Sequence, residues 1–306
     1  MSDMSKNEIM EELKKAVEKR LGNGFCVSLQ AIKKNNGSVK DAIIINESSS
    51  PIASIIYIDD MVKEIQYGAL SLVAAVNRIA ESYKEGAADT SCPYKVANMM
   101  NKKDILTKVI YRLINREKNE DMLVNIPHRD FLDLAVIYTI VEGEEDGKQY
   151  SCILDYALCQ KLDISQEKLE AAAAHNTKAR RFHAWPMEDV LGRLIGKASD
   201  IIPPAMPYAP CGPSMWVLTN TSGNHGASVL LYQKYFDDVA TKLDDDLYIM
   251  PSSIHEVISV PASDLDPIQL KGIVKDINCT EVAPEEVLSD NVYIYRKDSG
   301  MISIAS

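Results

Sequence analysis

No apolar run in this 306-residue sequence approaches the roughly 18 residues that a membrane-spanning helix requires. The opening stretch, MSDMSKNEIMEELKKAVEKRL, is charged and amphipathic throughout. Neither a secretory signal nor a membrane anchor is expected there, and a cytoplasmic location follows. The six cysteines, Cys26, Cys92, Cys152, Cys159, Cys211 and Cys279, form no CxxC pair and stand next to no histidine at metal-ligand spacing. That excludes the common zinc patterns and predicts reduced, mostly buried thiols. The five histidines, His128, His175, His183, His225 and His255, include no HxH and no HExxH. There is no GxGxxG, and the polar glycine loop Ser222-Gly223-Asn224-His225-Gly226 lacks the Lys-Ser/Thr ending of a phosphate-binding loop. The Asp244-Asp245-Asp246 cluster lacks calcium-loop spacing. No cofactor is implied. Internal repeats and coiled-coil heptads are absent as well.

What is present describes a globular chain. Hydrophobic residues make up 46% and charged residues 25%, enough for a well-buried core. The formal net charge is −11, so the average surface repels a phosphate backbone and no nucleic-acid partner is expected, although Arg180 and Arg181 mark a place for a local basic patch. Fourteen tyrosines stand against four phenylalanines. Tyrosine suits half-exposed faces. An exposed surface around Tyr248, Tyr293 and Tyr295 would fit protein binding, and ordinary sheet packing would explain the same residues.

The hydrophobic pattern divides the chain into regions. Ser5 and Glu8 have capping-box spacing ahead of Ile9, Leu13, Ala16, Val17 and Leu21, which predicts a first helix. Strand-like runs follow at 25–32, 38–45 and 52–58, the first two joined through Asn36-Gly37. Asp59 and Asp60 then open one long predicted helix through Ala80, locally weakened by Gly68. Residues 1–84 thus read as a helix–sheet–helix unit, and 85–103 as a connector. The stretch 104–123 fits a helix or a strand. Residues 131–141 read as one buried strand, with a hairpin at Glu144–Gly147 into 150–154. Short helices are predicted at 155–162, after Ser165, and from Pro186. Five prolines within 199–213 predict an extended connector. Strands are then expected at 215–220, 227–231, 247–250, 254–260, 292–295 and 301–304, with helices ending at Leu243 and starting at Pro267. Regions 104–198 and 214–306 form either two domains or one. Hairpins separated by helices predict an α+β fold with antiparallel, hairpin-rich sheets.

Three segments carry a resemblance. They are Ile126-Pro127-His128-Arg129-Asp130-Phe131-Leu132-Asp133-Leu134-Ala135, Ala171–Asn176, and Met250-Pro251-Ser252-Ser253-Ile254-His255-Glu256-Val257 with the preceding Trp216–Asn220 and Gly226–Ser228 runs. Together they resemble an uncharacterised bacterial family of unknown function, found mainly in anaerobic Gram-positive gut bacteria, over nearly the whole chain. The middle and end resemble, more distantly, another unassigned bacterial family. The resemblance implies a bacterial cytoplasmic protein and supplies no catalytic residues.

Two constellations remain as candidate ligand-binding residues. Ser252, Ser253, His255 and Glu256 crowd together a hydroxyl, an imidazole and a carboxylate, the types a nucleophile–base–orienter arrangement needs. Neighbours on a strand face opposite ways, however, and Pro-Ser-Ser is ordinary turn chemistry. His128, Arg129 and Asp130 sit at the mouth of a predicted strand. Arg129 there suits bidentate carboxylate or phosphate binding, or equally a surface ion pair. Cys152 and Cys159 have no histidine placed to activate them and read as packing thiols. Two functional classes follow. The leading one is a non-enzymatic binding or adaptor protein with a protein or small-molecule partner. The other is a small-molecule hydrolase or transferase with its site at the His128 and His255 motifs.

Overall fold

The computed structural model describes residues 4–47, 53–88, 101–145, 148–198, 214–263 and 265–306. The expected proline-rich connector, most of the 85–103 connector and the Asp146-Gly147 turn lie outside these residues. The chain divides into two compact units, residues 1–99 and 100–306. Helices alternate with three wholly antiparallel sheets, so the fold is α+β. Among the described residues, no helix is long and apolar enough to cross a membrane.

In the first unit, α1 (Lys6–Leu21) starts where Ser5 and Glu8 satisfy each other's backbone N–H groups in a reciprocal capping box. Its Ile9, Leu13 and Val17 are fully buried. Strands β1 (Phe25–Lys33), β2 (Val39–Glu47) and β3 (Ala53–Tyr57) form a meander. The β1–β2 turn places Asn36 and Gly37 at φ 59° and 68°, left-handed values that asparagine and glycine tolerate best. The predicted long helix is instead two, α2 (Asp59–Gln66) and α3 (Leu72–Ala88). Gly68 at φ 74° terminates the first, and the Ser71 hydroxyl accepts from the Ala74 N–H to start the second. Both helices still contribute to one core, where Val62, Ile65, Val76 and Ile79 share a cluster with Val27, Ile43 and Ile45.

The second unit begins with α4 (Lys102–Lys108), capped by Asn101, which runs directly into β4 (Val109–Asn115). The ambiguous 104–123 stretch is therefore helix, then strand, then the short α5 (Glu120–Leu123). The single strand expected at 131–141 is a hairpin, β5 (His128–Phe131) and β6 (Leu134–Glu145), turning through Leu132 at φ 55°. β7 (Lys148–Ile153) also pairs with β6, and β4 covers β6's other edge. Helices α6 (Tyr156–Lys161) and α7 (Gln166–Lys178) follow, capped by Asp155 and Ser165. Pro186 ends a strand that the periodicity did not show, β8 (Phe182–Pro186), and α8 (Met187–Ala198) begins one residue later.

The remaining chain builds a six-stranded sheet of order β13-β12-β10-β11-β9-β8. Its strands are β8, β9 (Trp216–Asn220), β10 (Leu247–Met250), β11 (Val257–Pro261), β12 (Tyr293–Arg296) and β13 (Met301–Ile304). Helices α9 (Lys234–Leu243) and α10 (Pro267–Thr280) interrupt it. Three expectations are corrected here. Residues 226–231 form a 3₁₀ helix and not a strand, because both edges of β9 are already occupied by β8 and β11. β11 starts at Val257, so His255 and Glu256 lie in the loop before it and the strand-alternation argument does not govern them. Tyr293 and Tyr295 are fully buried, and their hydroxyls donate to Asp133 and Asp237. They are core residues with a satisfied polar tip, not an exposed binding surface.

Candidate functional site

Strand pairing sorts the His128 motif onto different surfaces. His128 and Arg112 both pair with Ile137 of β6, from opposite sides, so both side chains leave the sheet on one face. Arg129 leaves on the other. There its Nε donates to Glu170 at 2.9 Å and its guanidinium lies over the Tyr111 ring. Glu170 also accepts from the Tyr111 hydroxyl at 2.8 Å and from Tyr138. Burial works against the Glu170 charge, and these donors outweigh it, holding the carboxyl below its ordinary range. An open groove of about 320 Å³ lies beside Arg129, between Phe131, Leu230 and Ile302. His128 Nδ1 donates to the Ile126 carbonyl at 2.9 Å, and Asp130 pairs with Arg116 at 3.0 Å on the surface.

The His255 motif is a pinned loop. The backbone of Ser252 accepts from Leu288, Pro251 accepts from Ser289, and Ile254 donates to Glu286, which fixes residues 251–254 against 286–289. The Ser253 hydroxyl accepts from the His255 N–H at 3.0 Å and lies against the Glu256 carboxyl. Burial raises the Glu256 pKa, opposed by His255 and Ser253 and assisted by Glu286. His255 Nε2 is 3.5 Å from Glu286, and its Nδ1 accepts from the His225 N–H at 3.4 Å. No serine hydroxyl among the described residues bonds to the imidazole ring. Among the described residues, no hydrogen bond or ion pair joins this loop to His128, Arg129 or Asp130.

The loop has a different neighbour. β9 and β11 run antiparallel with Leu218 opposite Val257, so the loop after β9 and the loop before β11 emerge at the same end of the sheet. Thr219 Oγ1 donates to the His255 carbonyl at 2.8 Å and ties them together. The chain then crosses Thr219 and His255 so closely that a Cβ on Gly226 would overlap Thr219 Oγ1 and stand 2.5 Å from the His255 carbonyl oxygen. Only glycine fits there. His225 takes the left-handed conformation, φ 51°, immediately before it. Its ring stacks on His255, with centroids 5.4 Å apart and planes 18° apart.

Arg112 of β4 faces this stack. It is half-buried, and among the described residues its buried Nε has no hydrogen-bond partner and no carboxylate pairs with it. Desolvation lowers its pKa to about 10, which leaves it charged at neutral pH. Arg180, whose Nη2 donates to Ser222 at 2.8 Å, adds a second positive charge near His225. Burial, then the fields of Arg112, His255 and Arg180, drops the His225 pKa from 6.5 to about 2, and among the described residues Nδ1 of His225 has no partner. The cluster is thus two guanidiniums, Arg112 and the Ser222-bound Arg180, an imidazole held neutral, and a second imidazole beside Glu286. A partly desolvated charge without a partner is costly to a fold, and such groups are found where a ligand supplies the missing charge. Among the described residues, no three His, Cys, Asp or Glu side chains are grouped to hold a metal ion.

Sequence reasoning singled out the His255 half of this cluster and passed over Arg112. The one available signal was an arginine alone in the apolar strand VIYRLIN, and it was hidden while the stretch fitted a helix equally well. His225 was visible only as part of a polar glycine loop.

No curated protein and no solved structure matches the chain. A model of a family of unknown function (DUF5688) matches residues 6–297, and the chain, with its lone Arg112 facing the His225–His255 stack, belongs to that family.

Proposed function

We propose that this protein is a non-enzymatic binding protein for a small anionic molecule, taken at the end of the six-stranded sheet where Arg112, His225 and His255 meet. The carrying observation is Arg112, whose buried Nε meets no acceptor among the described residues and which no described carboxylate pairs with. Arginine matches oxyanions through its planar fork of donors, and enclosure strengthens that attraction relative to water. The resemblance of the sequence motifs further supports a bacterial, cytoplasmic protein. The hydrolase or transferase reading finds less support. The Ser253 hydroxyl is committed to the His255 backbone and Glu256, and His255 has both ring nitrogens engaged.

The test is binding by the purified full-length chain and an Arg112→Met variant to a panel of small anions, read by calorimetry and thermal shift. Binding by the parent that is lost in the folded variant supports the reading. A parent that binds none of the anions better than Arg112→Met does would sink it.

A further inference from the structure

A second cavity shares no lining residue with the Arg112 cluster. It opens where the end of β4 and the turn after it, the β5–β6 turn, α10 and the loop before β12 come together. Its volume is about 520 Å³, and all ten lining side chains are polar or charged. That size is ordinary for a small-molecule site, and the lining calls for a ligand held by charge. Four carboxylates on the walls disfavour a plain anion, and three lysines disfavour a plain cation.

Two of the carboxylates are fixed in place by neutral donors. Asp133 accepts from the Ser289 hydroxyl, the Asn291 amide and the Tyr293 hydroxyl. A carboxylate has about four lone-pair sites, so one is left over. Asp290 accepts from the amide of Asn278 at 2.7 Å. Asn278 is buried and donates to the Ser289 carbonyl at 2.9 Å as well, which holds that contact rigid. Among the described residues no cation pairs with Asp133, and Lys118 stands 4.0 Å from Asp290 Oδ2, at the limit of an ion pair. Fixed carboxylates without a close cation suit an incoming ammonium group.

The opposite charge comes from α10. Lys271 and Lys275 line the cavity one helical turn apart, and Asn278 continues the same face. Among the described residues neither lysine has a hydrogen-bond or ion-pair partner. Lys275 precedes Asn278 by about 4.5 Å along the helix axis and Lys271 by about 10 Å. One face of α10 thus runs from two unpaired ammonium groups to the amide that anchors Asp290, a span that a small molecule bridges.

We propose that this cavity binds a small zwitterion of the amino-acid class, with its ammonium group on Asp133 and Asp290 and its carboxylate on Lys271 and Lys275. The site is independent of anion binding at Arg112, and no covalent bond forms or breaks in it.

The experiment is a thermal-shift screen of the full-length chain against the common L-amino acids, followed by calorimetry with the best of them, its α-amide and its N-acetyl derivative. The amide lacks the carboxylate and the N-acetyl derivative lacks the ammonium group. The expected result is binding of the free amino acid, with each derivative weaker by about tenfold or more. Lys271→Gln combined with Lys275→Gln removes only unpaired charges, and Asp290→Asn keeps an acceptor for Asn278. Each folded variant should weaken binding by about tenfold or more, and Arg112→Met should leave it unchanged. No binding of any amino acid, equal binding of either derivative, unweakened binding in either cavity variant, or loss of binding in Arg112→Met overturns the inference. The anion panel with Arg112→Met decides the reading of the Arg112 cluster separately.

Discussion

The His225 N–H donates to Nδ1 of His255 at 3.4 Å while the two rings stack face to face, so one histidine's backbone sets the tautomer of the other. With Nδ1 accepting, the neutral His255 carries its proton on Nε2, pointed at Glu286. Two residues thirty positions apart in sequence thus share one proton economy, arranged by the loops that hold them.

Arg112 gives the first prediction. A guanidinium whose buried Nε has no partner costs folding stability, and an apolar side chain of similar length removes that cost. Arg112→Met is expected to stabilise the ligand-free protein by about 1–3 kcal/mol in chemical denaturation, while abolishing anion binding. Destabilisation by this substitution would assign Arg112 a structural partner in place of a ligand.

His225 gives a pH dependence. Its folded pKa, about 2, lies below its ordinary 6.5. Between those values the unfolded chain binds the proton and the folded protein does not. The stability is therefore fully present above about pH 6.5 and falls as the pH drops below it, at up to about 1.4 kcal/mol per unit. Denaturation curves between pH 4 and 7 should show this slope, and His225→Asn should flatten it. An unchanged slope in the variant would move the titration to another group.

Gly226 tests the close crossing of the two loops. An added Cβ meets Thr219 Oγ1, the His255 carbonyl oxygen and the Asn220 nitrogen, two of them backbone atoms with little room to shift. Gly226→Ala is expected to cost about 1–3 kcal/mol, the usual range for overpacking, and to weaken anion binding by displacing His255. A neutral effect on both would show that the loops yield more easily than this contact implies.

Asp133 and Tyr293 test the reassignment of the tyrosines to the core. Asp133 accepts from Tyr293 at 2.5 Å, Ser289 at 2.6 Å and Asn291 at 2.9 Å. Tyr293→Phe removes one donor to a carboxylate and should cost about 1.5–3 kcal/mol in thermal or chemical melts, without altering anion binding. An unaffected melting temperature would contradict the buried hydrogen bond.

The elements that were legible in the sequence owe their form to local chemistry. Ser5 and Glu8 cap α1, Ser165 caps α7, and Asp266 before Pro267 starts α10, because each cap satisfies backbone donors within three residues of itself. The β10–β11 and β12–β13 hairpins were equally readable from alternation and turn residues. The elements that were misread depend on distant partners. Residues 226–231 are apolar enough for a strand, yet no edge of β9 was left for them to pair with. Residues 131–141 carry one hydrophobic run, yet Leu132 and Asp133 turn the chain back on itself.

The sequence by itself determined the α+β class, the helix starts and the hairpins, since these follow from periodicity and from caps that act over a few residues. Only the tertiary structure decided the candidate site. Arg112, Arg180, His225 and His255 come from a strand of one sheet and three loops at the end of another. What distinguishes them is the dielectric around each charge and the lack of a partner for one of them. Those are properties of the packed molecule, because a charge is costly only where the fold has removed its water.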